Sequence, residues 1–248
     1  MIPLDNLPGF RRRFVVRPTP GRVRSDVEDD YHCMGVVLHH DGRVATHVEA
    51  DMTRVPWTTC PGAPAVLVRT FTGVALDAFG VRGEKVQNCT HLHDLAVLAA
   101  AHAHDAAPLI YDILVSDPVD GRRRAELRRN GETVLGWIVA GNGELVAPEH
   151  LAGTRLDRLR SWIDSLDAAG QEQARILRWG TVLAHGRARK FEDSAERERL
   201  PLGNCFTFQP ENAPNAQYVS GTVREFSGGG AGPLDAISIG AEGGNEMP

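Results

Sequence analysis

The residues best suited to chemistry fall in three short segments: Glu28-Asp29-Asp30-Tyr31-His32-Cys33, Pro56-Trp57-Thr58-Thr59-Cys60-Pro61-Gly62-Ala63 and Asn88-Cys89-Thr90-His91. Together they supply carboxylate, imidazole and thiol, the groups that move protons or ligate a metal. Asp29 or Asp30 with His32 forms a candidate acid–base pair, and His91 is placed to polarise or position a substrate oxygen. Trp57, Cys60, Cys89 and Phe208 are candidates for lining a substrate pocket. Asp30, His32, Cys60, Cys89 and His91 form an alternative set of metal ligands. His39, His40, His47, His93, His102 and His104 read as surface residues, and His91-x-His93 is too short a pattern for a zinc site.

These segments need elements that bring them together. His40-Asp41-Gly42 is a turn signal between Val36-Val37-Leu38 and the run from 44 to 55, which predicts a hairpin. In its second strand Val44, Thr46, Val48, Ala50 and Met52 alternate with His47, Glu49, Asp51 and Thr53, so one face is expected to meet solvent. The acidic segment then enters the first strand, and Trp57 to Cys60 leaves the second. Pro61-Gly62 opens a helix carrying Val66, Leu67 and Phe71 that stops near Gly73. Leu92, Leu95, Leu98 and Ala99 predict a second helix after Cys89, capped by Asn88 or Thr90. At two helix starts the Cys60 and Cys89 thiols are expected to favour the thiolate.

Further along, 109–115 reads as a strand, and Asn130-Gly131 predicts a hairpin joining 125–129 to 133–139. From 150 to 189 the pattern is helical. Leu156, Leu159, Trp162, Ile163 and Leu166 form one stripe, and Ala174, Leu177, Val182 and Leu183 another, which predicts two packed helices. Residues 205–210 read as an ordered return segment, and the Gly-rich stretch 227–248 as a disordered tail. The expected architecture is a single α+β domain over 1–226, an antiparallel sheet with helices packed on it and a helical second half.

With 248 residues, 42% of them hydrophobic, the chain can bury a sizeable core. The net charge of -5 argues against a general nucleic-acid binder, and Arg122-Arg123-Arg124 reads as a solvated strand edge. No apolar run is long enough for a spanning helix, and 1–17 lacks the apolar core of a secretory signal, so a cytoplasmic location is expected. Four cysteines without a C-x-x-C pair are expected to remain reduced thiols. No G-x-S-x-G, Walker or G-x-G-x-x-G pattern points to a nucleophile elbow or a nucleotide.

Two resemblances rest on these motifs. The stretch 22–32, the Pro56 to Ala63 segment, Asn88-Cys89-Thr90-His91-Leu92 and Cys205-Phe206-Thr207-Phe208-Gln209-Pro210-Glu211 occur in the order that resembles the bacterial domain-of-unknown-function family numbered 2889. That likeness covers most of the chain up to Ser227 and carries no defined activity. A hairpin, Cys60-Pro61-Gly62-Ala63 opening a helix, Gly73-Val74-Ala75-Leu76, and Cys89-Thr90-His91 before an Ala-rich helix are similar to iron–sulfur scaffold proteins of the NifU and IscU type. This covers about a third of the chain and implies an IscU-like core in the first half. In that alignment Cys60 falls at the scaffold's second cysteine and Cys89 and His91 near its His-Cys pair, while the Asp29 to Cys33 segment replaces its first cysteine loop.

Three classes of function fit: a cofactor-independent enzyme, a zinc enzyme or other metal-binding protein, and a scaffold that carries a cluster or sulfur. A carboxylate-rich loop bearing His32 is unusual for a thiolate cluster and favours the first. The expected activity is a lyase cleaving a small aromatic, lignin-like or hydroxylated compound by general acid–base catalysis, with release of a one-carbon fragment and a role in aromatic catabolism. It would use no metal or cofactor, with zinc as the alternative. Its partner would be a small-molecule substrate, with no nucleic acid and no membrane, and a homo-oligomer is compatible with the sequence.

Overall fold

The computed structural model describes residues 2–188 and 202–235. The chain is α+β, with eight strands among the described residues and helices packed on them, and it divides into two compact units. One unit comprises Phe14–Leu109 and Lys190–Arg224; the other comprises Met1–Arg13, Ile110–Arg189 and Glu225–Pro248. β1 (Gly9–Thr19) contributes to both, its residues through Arg13 to one and those from Phe14 to the other.

The unit that carries the three segments orders its strands β4-β3-β2-β1, with β2 at Arg22–Asp29, β3 at Cys33–His40 and β4 at Ala45–Arg54. β2, β3 and β4 pair antiparallel. Val36, Val37 and Leu38 in β3 are all buried, the strand lying between β2 and β4 with the helix at Thr90–Ala101 packed on it. In β4 the expected alternation holds from Val48 on, with Glu49, Asp51 and Thr53 exposed. Thr46, expected to face inward, is exposed, while Ala45 is fully buried. The register explains the difference: His39 pairs with His47 and His40 with Ala45, so Thr46 is the extra residue of a bulge.

α1 (Ala63–Phe71) packs on β4, and α2 (Thr90–Ala101) packs on β2 and β3. Leu67, Phe71, Leu92, Leu95, Ala96 and Ala99 are completely buried beneath them. Phe71 stacks on Phe79 at 4.3 Å, closing the core between α1 and the turn that follows it.

In the other unit the order is β1-β5-β6-β7-β8, with β5 at Leu109–Ser116, β6 at Arg122–Arg129, β7 at Glu132–Ala140 and β8 at Leu145–Ala147. Asn130 and Gly131 both adopt positive φ, +50° and +87°, the geometry of the expected tight hairpin turn. Strands therefore continue well past the midpoint of the sequence before α3 (Arg160–Asp164) and α4 (Ala168–Ala184). The two helices touch, and α4 lies on β6 and β7 with Ala174, Leu177 and Gly180 buried, Gly180 against Ile113 of β5. The Asp167 carboxylate accepts from the Gly170 N–H and caps α4.

The arginine run does not lie on an edge strand, although Arg122 is exposed as expected. β6 lies between β5 and β7, and Arg123 is buried, donating to the Ser116 carbonyl at 3.3 Å. Within the stretch expected to be a tail, Leu234 is fully buried and the Asp235 carboxylate pairs with Arg13 at 2.6 Å. Its remainder, 236–248, and Arg189 at the end of the expected helical stretch lie outside the described residues. Among the described residues, no helix is long and apolar enough to cross a membrane.

Candidate active site

Asp29 ends β2 and Cys33 begins β3, so Asp30, Tyr31 and His32 form the connection of a hairpin closed by the Asp29 N–H donating to the His32 carbonyl at 2.9 Å. The Asp29 side chain folds back over this turn. Its Oδ1 accepts the backbone N–H groups of Tyr31 and His32, each at 2.8 Å, and lies 3.0 Å from His32 Nδ1. An ionised carboxylate only accepts, so against ionised Asp29 the Nδ1 atom carries a proton, and in the neutral form of the ring the lone pair then belongs to Nε2. Asp29 is completely buried and His32 is 8% exposed, which places this polar pair in a low-dielectric setting.

α2 brings the third member. Because it packs on β2 and β3, its first turn lies beside their connection, and the His91 ring sits 4.0 Å from that of His32 at an angle of 31°. One ligand atom each from Asp29, His32 and His91 fall within 4.8 Å of one another, and all three residues are buried. The Cys89 Sγ lies 3.9 Å from His91 Nδ1.

The loop is held by a residue the sequence reading did not single out. Arg54, at the end of β4 and buried, donates to the carbonyls of Asp29 at 2.7 Å, Asp30 at 2.9 Å and His32 at 3.2 Å. It also pairs with the Glu28 carboxylate at 3.0 Å and reaches the Thr222 carbonyl at 3.3 Å. A planar guanidinium with five donors suits this fan of acceptors; an ammonium could not reach them all. The Asp30 carbonyl additionally receives the Arg224 N–H at 2.8 Å. Asp30 is fully buried, but the carboxylate on the imidazole is that of Asp29.

Trp57, Cys60 and Phe208 form a neighbouring group in the same unit. Trp57 meets Phe208 and Tyr218 edge-on at 5.3 and 5.6 Å, and Cys60 Sγ lies 3.2 Å from Thr207 Oγ1. Phe206 covers Gly62 so closely that a Cβ there would come within 2.9 Å of its ring. The Phe206 N–H donates to the Asn88 carbonyl at 2.9 Å, which sets Cys205 beside the start of α2. Cys60, Cys89 and Cys205 are thus near enough to influence one another electrostatically.

The expected thiolates are overturned. Burial pushes the Cys60 thiol up to about 11 and Cys89 up to about 12, and it raises Cys205 as well. N–H groups of the first turn of α2 act on Cys89 in the opposite sense, but the cost of burying a charge outweighs them. Cys89 is the N-cap residue of α2 without a side-chain cap; Asn88 instead donates to the Glu84 carbonyl and to Thr70. With a thiolate fraction of roughly a thousandth or less at pH 8, native Cys60 and Cys89 should be alkylated by iodoacetamide orders of magnitude more slowly than after denaturation. Equal rates in the two states would contradict this assignment.

Two of the expected surface histidines are buried. His93 in α2 is 4% exposed, packs 5.1 Å from the Phe71 ring, and has no hydrogen-bond partner on either nitrogen. His40 is 8% exposed and accepts the Gly42 N–H on Nδ1. It lines an open depression of about 580 Å³ with Pro18, Gly21, Asp41, His104 and Asp105, away from the Asp29–His32–His91 group.

Burial lowers the pKa of both His93 and His40, the nearby His104 adding to the effect on His40. The unfolded chain therefore binds protons, around its ordinary value of about 6.5, that the folded chain resists. Stability should be full above that value and fall as pH drops below it. A melting temperature that rises on acidification from pH 7 to 5.5 would contradict the sign. His93→Leu should leave the melting temperature unchanged or raise it, because it removes two buried nitrogens without partners.

Compared with protein-family models and with curated proteins, the chain matches none.

Proposed function

We propose that the protein is a lyase that works by general acid–base catalysis, without a metal or organic cofactor, on a small aromatic or hydroxylated compound of lignin-like type. The observation that carries this reading is the buried Asp29–His32 pair, in which a carboxylate holds Nδ1–H and leaves Nε2 as the base. Nε2 takes the proton of a substrate hydroxyl. The C–O bond becomes C=O as the adjacent C–C bond breaks, and a one-carbon aldehyde departs. The electron pair stays on the carbon next to the aromatic ring, which spreads the charge, and the imidazolium of His32 returns the proton to that carbon. In this reading His91, whose ring lies 4.0 Å from that of His32, orients the hydroxyl.

The test is formaldehyde release from a panel of 2-aryl-1,3-propanediols incubated with chelator-treated protein. Formaldehyde formed in equal amount to the shortened aromatic product supports the proposal. No release from any member of the panel, or release that requires added metal, overturns it.

A further inference from the structure

The same three side chains have a second property. Asp29, His32 and His91 belong to a hairpin turn and a helix that core packing fixes against each other, and each presents one ligand atom within 4.8 Å of the other two. Two imidazoles and a carboxylate are a donor set that divalent transition metals accept, zinc among them at about 2.0–2.2 Å from each atom. Closing the group to those distances takes movements of about an ångström. The Cys89 thiol, 3.9 Å from His91 Nδ1, stands beside the group as a further donor.

We infer that Asp29, His32 and His91 bind one zinc ion per chain and that this ion switches the acid–base site off. The regulatory half rests on the lyase reading; the binding half does not. Asp29 Oδ1 and His32 Nδ1 share one proton across 3.0 Å. A cation on His32 Nδ1 displaces that proton and its orienting bond, and a cation on Nε2 occupies the lone pair that acts as base, so metal-bound and base-competent forms exclude one another. Where Nδ1 is the ligand atom the ring proton moves to Nε2 and the imidazole stays neutral, so no net proton is released and no bond to carbon is made or broken. Magnesium, which demands oxygen ligands in octahedral array, does not suit two imidazoles.

Calorimetric titration of the chelator-treated full chain with zinc chloride tests the site. A His47→Ala background removes exposed chelation by His39, His47 and Glu49, which gather on the outer face of β3 and β4. One zinc per chain is expected, with no response to magnesium. Asp29→Asn keeps an acceptor for the two turn N–H groups and should bind zinc at least tenfold more weakly, as should His91→Phe. Cys89→Ser should change the affinity by only a few-fold. Absence of zinc binding to the folded protein, or binding that survives in both Asp29→Asn and His91→Phe but is lost in Cys89→Ser, overturns the site. The two readings separate cleanly. If metal-free protein releases formaldehyde and zinc neither binds nor inhibits, this inference fails while the lyase reading stands. If zinc binds at these residues and release appears only with it, the switch and the metal-free mechanism fail while the site stands.

Discussion

His32→Ala is expected to lower turnover by roughly two to four orders of magnitude, the usual contribution of a positioned general base, with little change in the fold. Its backbone N–H still reaches Asp29 in the variant, so the turn survives while the only lone pair that Asp29 orients is lost. Asp29→Asn should show a loss of similar size for a different reason. Its side-chain oxygen can still accept the Tyr31 and His32 N–H groups, but a neutral amide no longer stabilises the imidazolium. Cys60→Ser should cost far less, because Cys60 meets Thr207 rather than either imidazole. Steady-state rates of aldehyde release for the three variants, with circular dichroism to verify folding, check the ranking. Cys60→Ser falling below His32→Ala would contradict it.

Arg54→Met is expected to cost about 3–5 kcal/mol of stability, the range found when one partner of a buried ionic arrangement is removed. Methionine fills part of the volume but leaves the carbonyls of Asp29, Asp30 and His32 without their shared donor and Glu28 without its counter-charge. Arg54→Lys should recover only part of the loss, since one ammonium cannot span acceptors on several residues. Urea unfolding of the three proteins measures this. A loss below about 1 kcal/mol for Arg54→Met would show that the turn holds without the guanidinium.

Much of this arrangement is legible in the residues. Alternation around Asp41-Gly42, the Asn130-Gly131 turn and the apolar stripes of 63–71, 90–101 and 168–184 each come from local geometry, and the strands and helices follow them. The acidic turn is visible as a cluster. Which of two adjacent, equally buried aspartates faces the imidazole is decided by how β2 meets β3 through the hairpin, and no pattern of residue types records it. Arg54 does not stand out in the sequence because its acceptors are main-chain carbonyls, which leave no trace in composition. His93 on α2, and Arg123 within a basic run, read as surface for the same reason: burial belongs to the neighbours, Phe71 of α1 in one case and β5 and β7 in the other. The thiolate expectation weighed the helix start and not the burial that accompanied it.

The central claim is that Asp29 fixes the His32 proton on Nδ1 and so makes Nε2 the base. Long-range proton–nitrogen correlation spectra of the 15N-histidine-labelled, metal-free protein, assigned with His32→Ala, read this directly. The account predicts that neutral His32 is the Nδ1–H tautomer and that Asp29→Asn disturbs that preference. A neutral His32 that holds its proton on Nε2 in the wild-type protein would contradict it.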